Sequence, residues 1–124
     1  SRIAFHTNRT GTFEIFTMAT DGSDLVNLTQ TSGGSSPSWA PDGRIAFLSN
    51  RNTITLQLFV MESDGSGVTQ ITSMSFNAGN ASWSPDSRQL VFDTGPIRII
   101  NDDGTGLVSI TQGGAEYDYP TWSP

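Results

Sequence analysis

Apolar residues along this chain come in short clusters of three to five, each followed by a turn-forming group. The clusters are "RIAF" from Arg2, "EIFTM" from Glu14, "LVNLT" from Leu25, "RIAFLS" from Arg44, "QLFVM" from Gln57, "VTQIT" from Val68, "QLVF" from Gln89, "IRII" from Ile97 and "LVSIT" from Leu107. Asp-Gly pairs at Asp21, Asp64 and Asp103, Pro41-Asp42-Gly43 and Pro85-Asp86-Ser87 separate several of them, and these are hairpin and β-turn signals. No stretch sustains a helical period, so the pattern predicts short strands and no helix. Alternation breaks down where Ile3, Ala4 and Phe5, or Leu58 to Met61, run together. Such strands are expected to be covered on both faces, which requires neighbouring sheets.

The clusters repeat in a fixed order. Trp39, Trp83 and Trp122 lie 44 and 39 residues apart, and the three Asp-Gly pairs follow at 43 and 39. Within each unit the Asp of Asp-Gly precedes a branched residue by seven positions, at Leu28, Ile71 and Ile110, and a threonine follows each time. Four strands per unit of about forty residues predict an all-β fold, a β-propeller of four-stranded antiparallel blades; stacking in a solenoid is the alternative. Residues 2–29 hold strands two to four of one blade, 36–72 and 80–111 are complete blades, and 119–123 form a lone first strand.

The run "PSWAPDGRIAFLSNR" with "LFVMESDGSGVTQIT" resembles the WD-like repeat of the TolB β-propeller family, and the likeness extends over nearly the whole chain. The resemblance implies a six-bladed, extracytoplasmic and typically periplasmic propeller that binds other proteins. The third unit departs from the pattern: Gln89 is inserted after Arg88, the loop from Asp93 to Pro96 is short, and Arg98 replaces the aromatic found at Phe16 and Phe59.

The first and last elements complement each other, since a strand ending in Trp122 is what the blade starting at Ile3 lacks. An unpaired strand edge exposes backbone donors and acceptors. A two-fold homodimer in which each copy lends its Trp122 strand to the other's Ile3 strand would therefore complete six blades. The competing expectation is an arc cut from a longer propeller; a chain opening at Ser1 is a processed product or a piece of something longer.

Charge narrows the partners. Twelve acidic residues against six arginines and no lysine give a net charge of −6, which argues against nucleic acid. No apolar run is long enough for membrane insertion, and the absence of cysteine removes disulfides and thiolate chemistry without fixing a compartment. Asp42, Asp64, Asp86 and Asp103 are expected to serve their turns rather than a calcium loop, because no alternating-oxygen pattern accompanies them. No cofactor is expected, although a channel cation such as calcium stays open. His6 is the single histidine, and no Gly-x-Ser-x-Gly elbow occurs, so a noncatalytic protein is expected. The recurring Trp39, Trp83 and Trp122, with Phe5, Phe47 and Phe92, are expected to pack between blades.

Positions that break the repeat point to binding. The loop "GGAEYDYP" places Glu116, Tyr117, Asp118 and Tyr119 where other units carry small polar residues, and tyrosines supply contact area at little entropic cost. Propeller connectivity puts Asn8, Arg9, Asn50 and Arg51 on the same face. These eight residues are the expected site for a protein or peptide partner. Two other functions remain open: a substrate-gating propeller of a larger serine peptidase, and a polysaccharide lyase or hydrolase site in the channel.

Overall fold

The computed structural model describes residues 1–124, and its eleven strands form three antiparallel sheets in which neighbours in sequence are neighbours in space. The first sheet contains β1 (Arg2–Thr7), β2 (Glu14–Ala19) and β3 (Val26–Asn27). The second contains β4 (Ser35–Trp39), β5 (Ile45–Ser49), β6 (Gln57–Met61) and β7 (Thr69–Gln70). The third contains β8 (Ala81–Trp83), β9 (Gln89–Asp93), β10 (Ile97–Asn101) and β11 (Val108–Ser109). Each turn signal read from the sequence closes a pair of adjacent strands. Residues 119–123 run without a ladder partner, and β1 is paired on one side only.

Period-two packing builds the core. In β5 and β6, Ile45, Phe47, Phe59 and Met61 face the first sheet and join Ile15, Leu28 and Trp39, while Ala46, Leu48, Leu58 and Val60 face the third and join Trp83, Leu90, Phe92 and Ile100. All ten residues of these two strands are buried, which explains their unbroken apolar runs. The sheets converge at one edge: β4 lies against both β1 and β8, and no comparable contact joins the fourth strands. Slices meeting at a hub, not a straight pile, produce that arrangement.

Specific polar contacts lock one sheet to the next. The Trp83 indole donates to the Ser38 carbonyl at 3.1 Å, and the Arg44 guanidinium lies 5.0 Å from the Trp83 ring centre. Arg44 also pairs with Asp102 at 3.0 Å and Asp42 at 2.8 Å, and donates to the Ser87 carbonyl at 2.9 Å. Within each sheet a threonine hydroxyl, Thr29, Thr72 or Thr111, accepts from the backbone N–H of Ile15, Leu58 or Ile97. The "Leu/Ile-Thr" element of the repeat is therefore a hydrogen-bonded end to each fourth strand.

Candidate partner-binding face

Strand order separates the connections into two ends. The links between first and second strands and between third and fourth strands emerge at one end; the other links emerge at the opposite end. Eight acids, Asp21, Asp24, Asp42, Glu62, Asp64, Asp86, Asp102 and Asp103, sit at the first end with only Arg2, Arg44 and Arg88. Most of the turn aspartates are occupied locally. Asp21, Asp64 and Asp103 each accept a hydroxyl and a backbone N–H from the residue two positions on, and Asp86 accepts from the Ser84 hydroxyl and the Arg88 N–H. These bonds favour the ionised form and hold the four carboxyls below their ordinary range; in Asp42 the Arg44 side chain does so.

A folded state that lowers carboxyl affinity for protons is stabilised above the unfolded value and loses that contribution as pH falls through the folded one. Asp93 has the opposite sign. Burial raises its affinity for protons, against the N–H of Tyr119 at 3.2 Å, which favours ionisation. Stability should therefore fall on acidification below about pH 4. Asp93→Asn should exceed the wild type by a margin that grows as pH rises from that point, since the amide oxygen still accepts from Tyr119 without a buried charge. Urea midpoints measured across pH 3 to 7 check both, with pH 3 to 7 spanning about the carboxylate range.

The opposite end carries the exposed aromatic side chains, with Ile54 beside them. Phe13, Ile54, Phe76, Tyr117 and Tyr119 all lie on its loops, with Ile54 fully exposed and Tyr119 74% exposed. Between the first two sheets a cleft of about 450 Å³ opens there, lined by Phe13, Leu48, Leu56, Asn50 and hydroxyl-bearing Thr12 and Ser35. The His6 ring meets Phe13 edge-on at 5.1 Å, and its Nδ1 accepts the N–H of Ser36 at 2.8 Å.

The eight residues singled out by sequence distribute unevenly. Asn8 closes a turn by accepting the Gly11 N–H, and Asn50 closes another by accepting that of Thr53 while also lining the cleft. Arg51 turns inward: its guanidinium covers the rings of Phe47 at 5.0 Å and Phe59 at 5.3 Å and donates to Ser49 Oγ and the Gly33 carbonyl. Burial lowers its proton affinity, opposed by the charge of Glu14. Arg9 occupies the matching place over Phe16 at 5.8 Å, where it stays exposed. The Asn-Arg pair therefore closes a loop and caps an aromatic pair. Glu116, Tyr117, Asp118 and Tyr119 are all exposed.

Around the third sheet the capping scheme is exchanged. Arg98, standing where Phe16 and Phe59 stand in their sheets, is held by Thr94 Oγ1 at 2.8 Å and covered by Phe76 from the preceding loop at 5.2 Å. Next to Thr94, Gly95 bridges to Tyr117, and Asp93 binds the Tyr119 backbone. Phe76, Arg98, Asp93, Tyr117 and Tyr119 thus form one contiguous mixed surface. Sequence reasoning did not select Phe13, Ile54 or Phe76; their signal was placement in loops that differ in length and composition from the matching loops of other units.

Two buried polar residues also escaped the sequence reading. Glu14 accepts from the Thr29 hydroxyl, the Gly33 N–H and the Thr12 hydroxyl, and Gln57 likewise binds Thr72, Met74, Thr55 and the Phe76 carbonyl. Each occupies the position just before the third strand's first apolar residue, and each fastens the loop that leads to the next sheet.

Sheets of three and four strands converging at one edge, with Trp83 and Arg44 joining the second to the third, define an arc of a β-propeller. The profile described as TolB beta propeller domain matches residues 1–124, and the chain belongs to that family. No curated protein matches its sequence. Among solved structures, a protein described as TolB from Agrobacterium tumefaciens superposes with a TM-score of 0.85 at 22% identity over 98% of this chain and 50% of that one. TolB from Acinetobacter baumannii gives 0.82 at 20% identity over 95% and 32%, and an oligogalacturonate lyase from Vibrio parahaemolyticus gives 0.74 at 14% over 97% and 39%. The chain thus spans half or less of the length of these relatives. At such identities the likeness establishes the fold alone. No helix is long and apolar enough to cross a membrane.

Proposed function

We propose that this chain is a noncatalytic, extracytoplasmic propeller scaffold whose loop end recognises a protein or peptide. The observation that carries the reading is the division of its ends: exposed aromatics with mixed charge on one, hydrogen-bonded acidic turns on the other. Aromatic and arginine side chains clustered beside polar groups are what binding centres favour. The noncatalytic reading is supported by the surroundings of His6: its ring meets Phe13 and its Nδ1 accepts a backbone N–H from Ser36, where a catalytic imidazole would donate to an orienting carboxylate. A second copy completes the ring in this reading.

Peptides selected from a random library on the immobilised chain provide the test. Tyr117→Ala with Tyr119→Ala should weaken the selected peptides by about tenfold or more, as removal of central aromatic contacts does. The urea midpoint should stay unchanged. Unaltered affinity would place the binding face elsewhere.

A further inference from the structure

We infer that the cleft between the first two sheets and a groove beside it bind one extended peptide segment, which seats a large apolar side chain against Phe13 and sets a carboxylate on Arg51. The inference rests on the proposed recognition at the loop end and names what the partner brings there.

Both walls of this site belong to sheets that are neighbours within the chain. At the matching place between the second and third sheets, the loop of residues 73–80 fills the space: Met74 packs against the cluster there, Ala78 is 2% exposed, and Asn77 accepts the Leu56 N–H at 2.8 Å. The preceding loop follows the same course, since Gly34 donates to the Phe13 carbonyl as Ala78 does to that of Leu56, at 2.9 and 2.8 Å. It carries Thr31 at the place of Met74 and Gly33 at that of Asn77. A Cβ on Gly33 would have only the Phe13 carbonyl within 4 Å. The smaller residues leave the cleft of about 450 Å³ open, with Phe13 52% exposed and Leu48 and Leu56 also lining it. None of its lining residues is charged, so its occupant is an uncharged, largely apolar group.

The wall between cleft and groove is fixed from behind. Gly33 donates to Glu14 at 3.2 Å, and its carbonyl accepts from Ser49 Oγ at 3.0 Å and Arg51 Nη2 at 2.9 Å. A wall held in place beforehand costs little ordering when a ligand arrives. Gln30 and Thr31 keep left-handed φ of 47° and 85°, which is strained for a β-branched residue and is a feature that gathers at ligand clamps. Ser32 lines both the cleft and the groove, so a segment crossing it reaches from one into the other.

Arg51 supplies the charge in the groove, a space of about 380 Å³ bordered also by Thr29, Gln30, Val68 and Asp64. Arg44, the arginine between the second and third sheets, pairs with Asp42 and Asp102. Half-buried Arg51 forms no ion pair and leaves Nη1 without a partner in the chain. Burial lowers its proton affinity more than the Glu14 charge raises it. A partly desolvated cation in that state gains from an incoming carboxylate, which a guanidinium can bind through two parallel hydrogen bonds. No acid occurs in residues 8–13, 30–34, 50–56 or 73–80, although the chain carries −6 overall, so an acidic group meets no like charge from these loops. Asp64, which comes from the other end of the sheet and is held by Ser66, stands against a second acid in the groove.

Peptides selected from a random library on the immobilised chain, then synthesised singly, test this. They should share one acidic residue close to a large apolar one. Replacing that acid by its amide should weaken binding to the wild type about tenfold and change nothing in Arg51→Gln, where the charge pair is already broken. The peptide substitution reads the carboxylate contact on the wild type alone, whether or not Arg51→Gln folds. Phe13→Ala should also weaken binding about tenfold, with the urea midpoint almost unmoved because the ring is half exposed. Selected peptides that lose nothing with their acid would overturn the carboxylate site, and peptides indifferent to Phe13→Ala would overturn the cleft; either result leaves loop-end recognition standing. A chain that selects no peptide would overturn that recognition and this inference with it.

Discussion

Trp83→Ala is expected to destabilise the fold by about 3–5 kcal/mol, the range for truncating a buried large aromatic, with a further contribution from the lost hydrogen bond. Trp83 is 5% exposed and belongs to the cluster between the second and third sheets. Its removal opens a void there, leaves the Ser38 carbonyl without its donor and takes away the ring beneath Arg44. A domain of this size is stable by only about 5–15 kcal/mol, so the variant should sit close to unfolding at room temperature. Trp83→Phe separates the terms: it keeps most of the packing, loses the N–H, and should cost about 1–3 kcal/mol. Urea titration of the three proteins measures both differences. Equal midpoints would mean that the tryptophans do not join the sheets.

Gly65→Ala is the second large effect, expected at about 2–5 kcal/mol from backbone strain and overpacking together. Gly65 has φ of +87°, and a methyl there would lie 2.7 Å from the Leu28 carbonyl, a contact between consecutive sheets with no room to relax. Gly22 provides an internal control, because φ is +84° but the space around it is open. Gly22→Ala in dilute solution should therefore cost only the strain, about 1–2 kcal/mol. Chemical denaturation of both variants in dilute solution reads the difference. Identical losses for the two glycines in dilute solution would contradict the close packing of sheets.

The architecture was legible because its determinants recur. Trp39, Trp83, the Asp-Gly turns and the Leu-Thr or Ile-Thr elements sit at fixed inner distances, and each marks a strand end or sheet contact found in the structure. The apolar run from Leu58 to Met61 announced a strand covered on both faces, and β6 is fully buried; the run Ile3-Ala4-Phe5 announced the same for β1, which is not, since β1 packs against the second sheet alone and Ile3 is 40% exposed. The loop end was harder to read. Arg9 and Arg51 recur with their asparagines, so repetition alone gave no sign that Arg51 folds inward over Phe47 and Phe59. Glu14 carries a charge and read as part of an ordinary strand, yet it is buried among hydroxyl and backbone donors from the loop that follows β3. Those contacts depend on how a loop returns across the sheet end, which period and composition do not encode. The exchange of Arg98 for an aromatic was visible; its cover by Phe76, from a different unit, was not.

Sedimentation equilibrium of the 124-residue chain at micromolar concentration tests most directly the proposed pairing of two copies in one ring. Twice the 13.3 kDa chain mass is expected, with loss of the larger species on Trp122→Ala. A folded species of 13.3 kDa throughout, unaffected by that substitution, would contradict it.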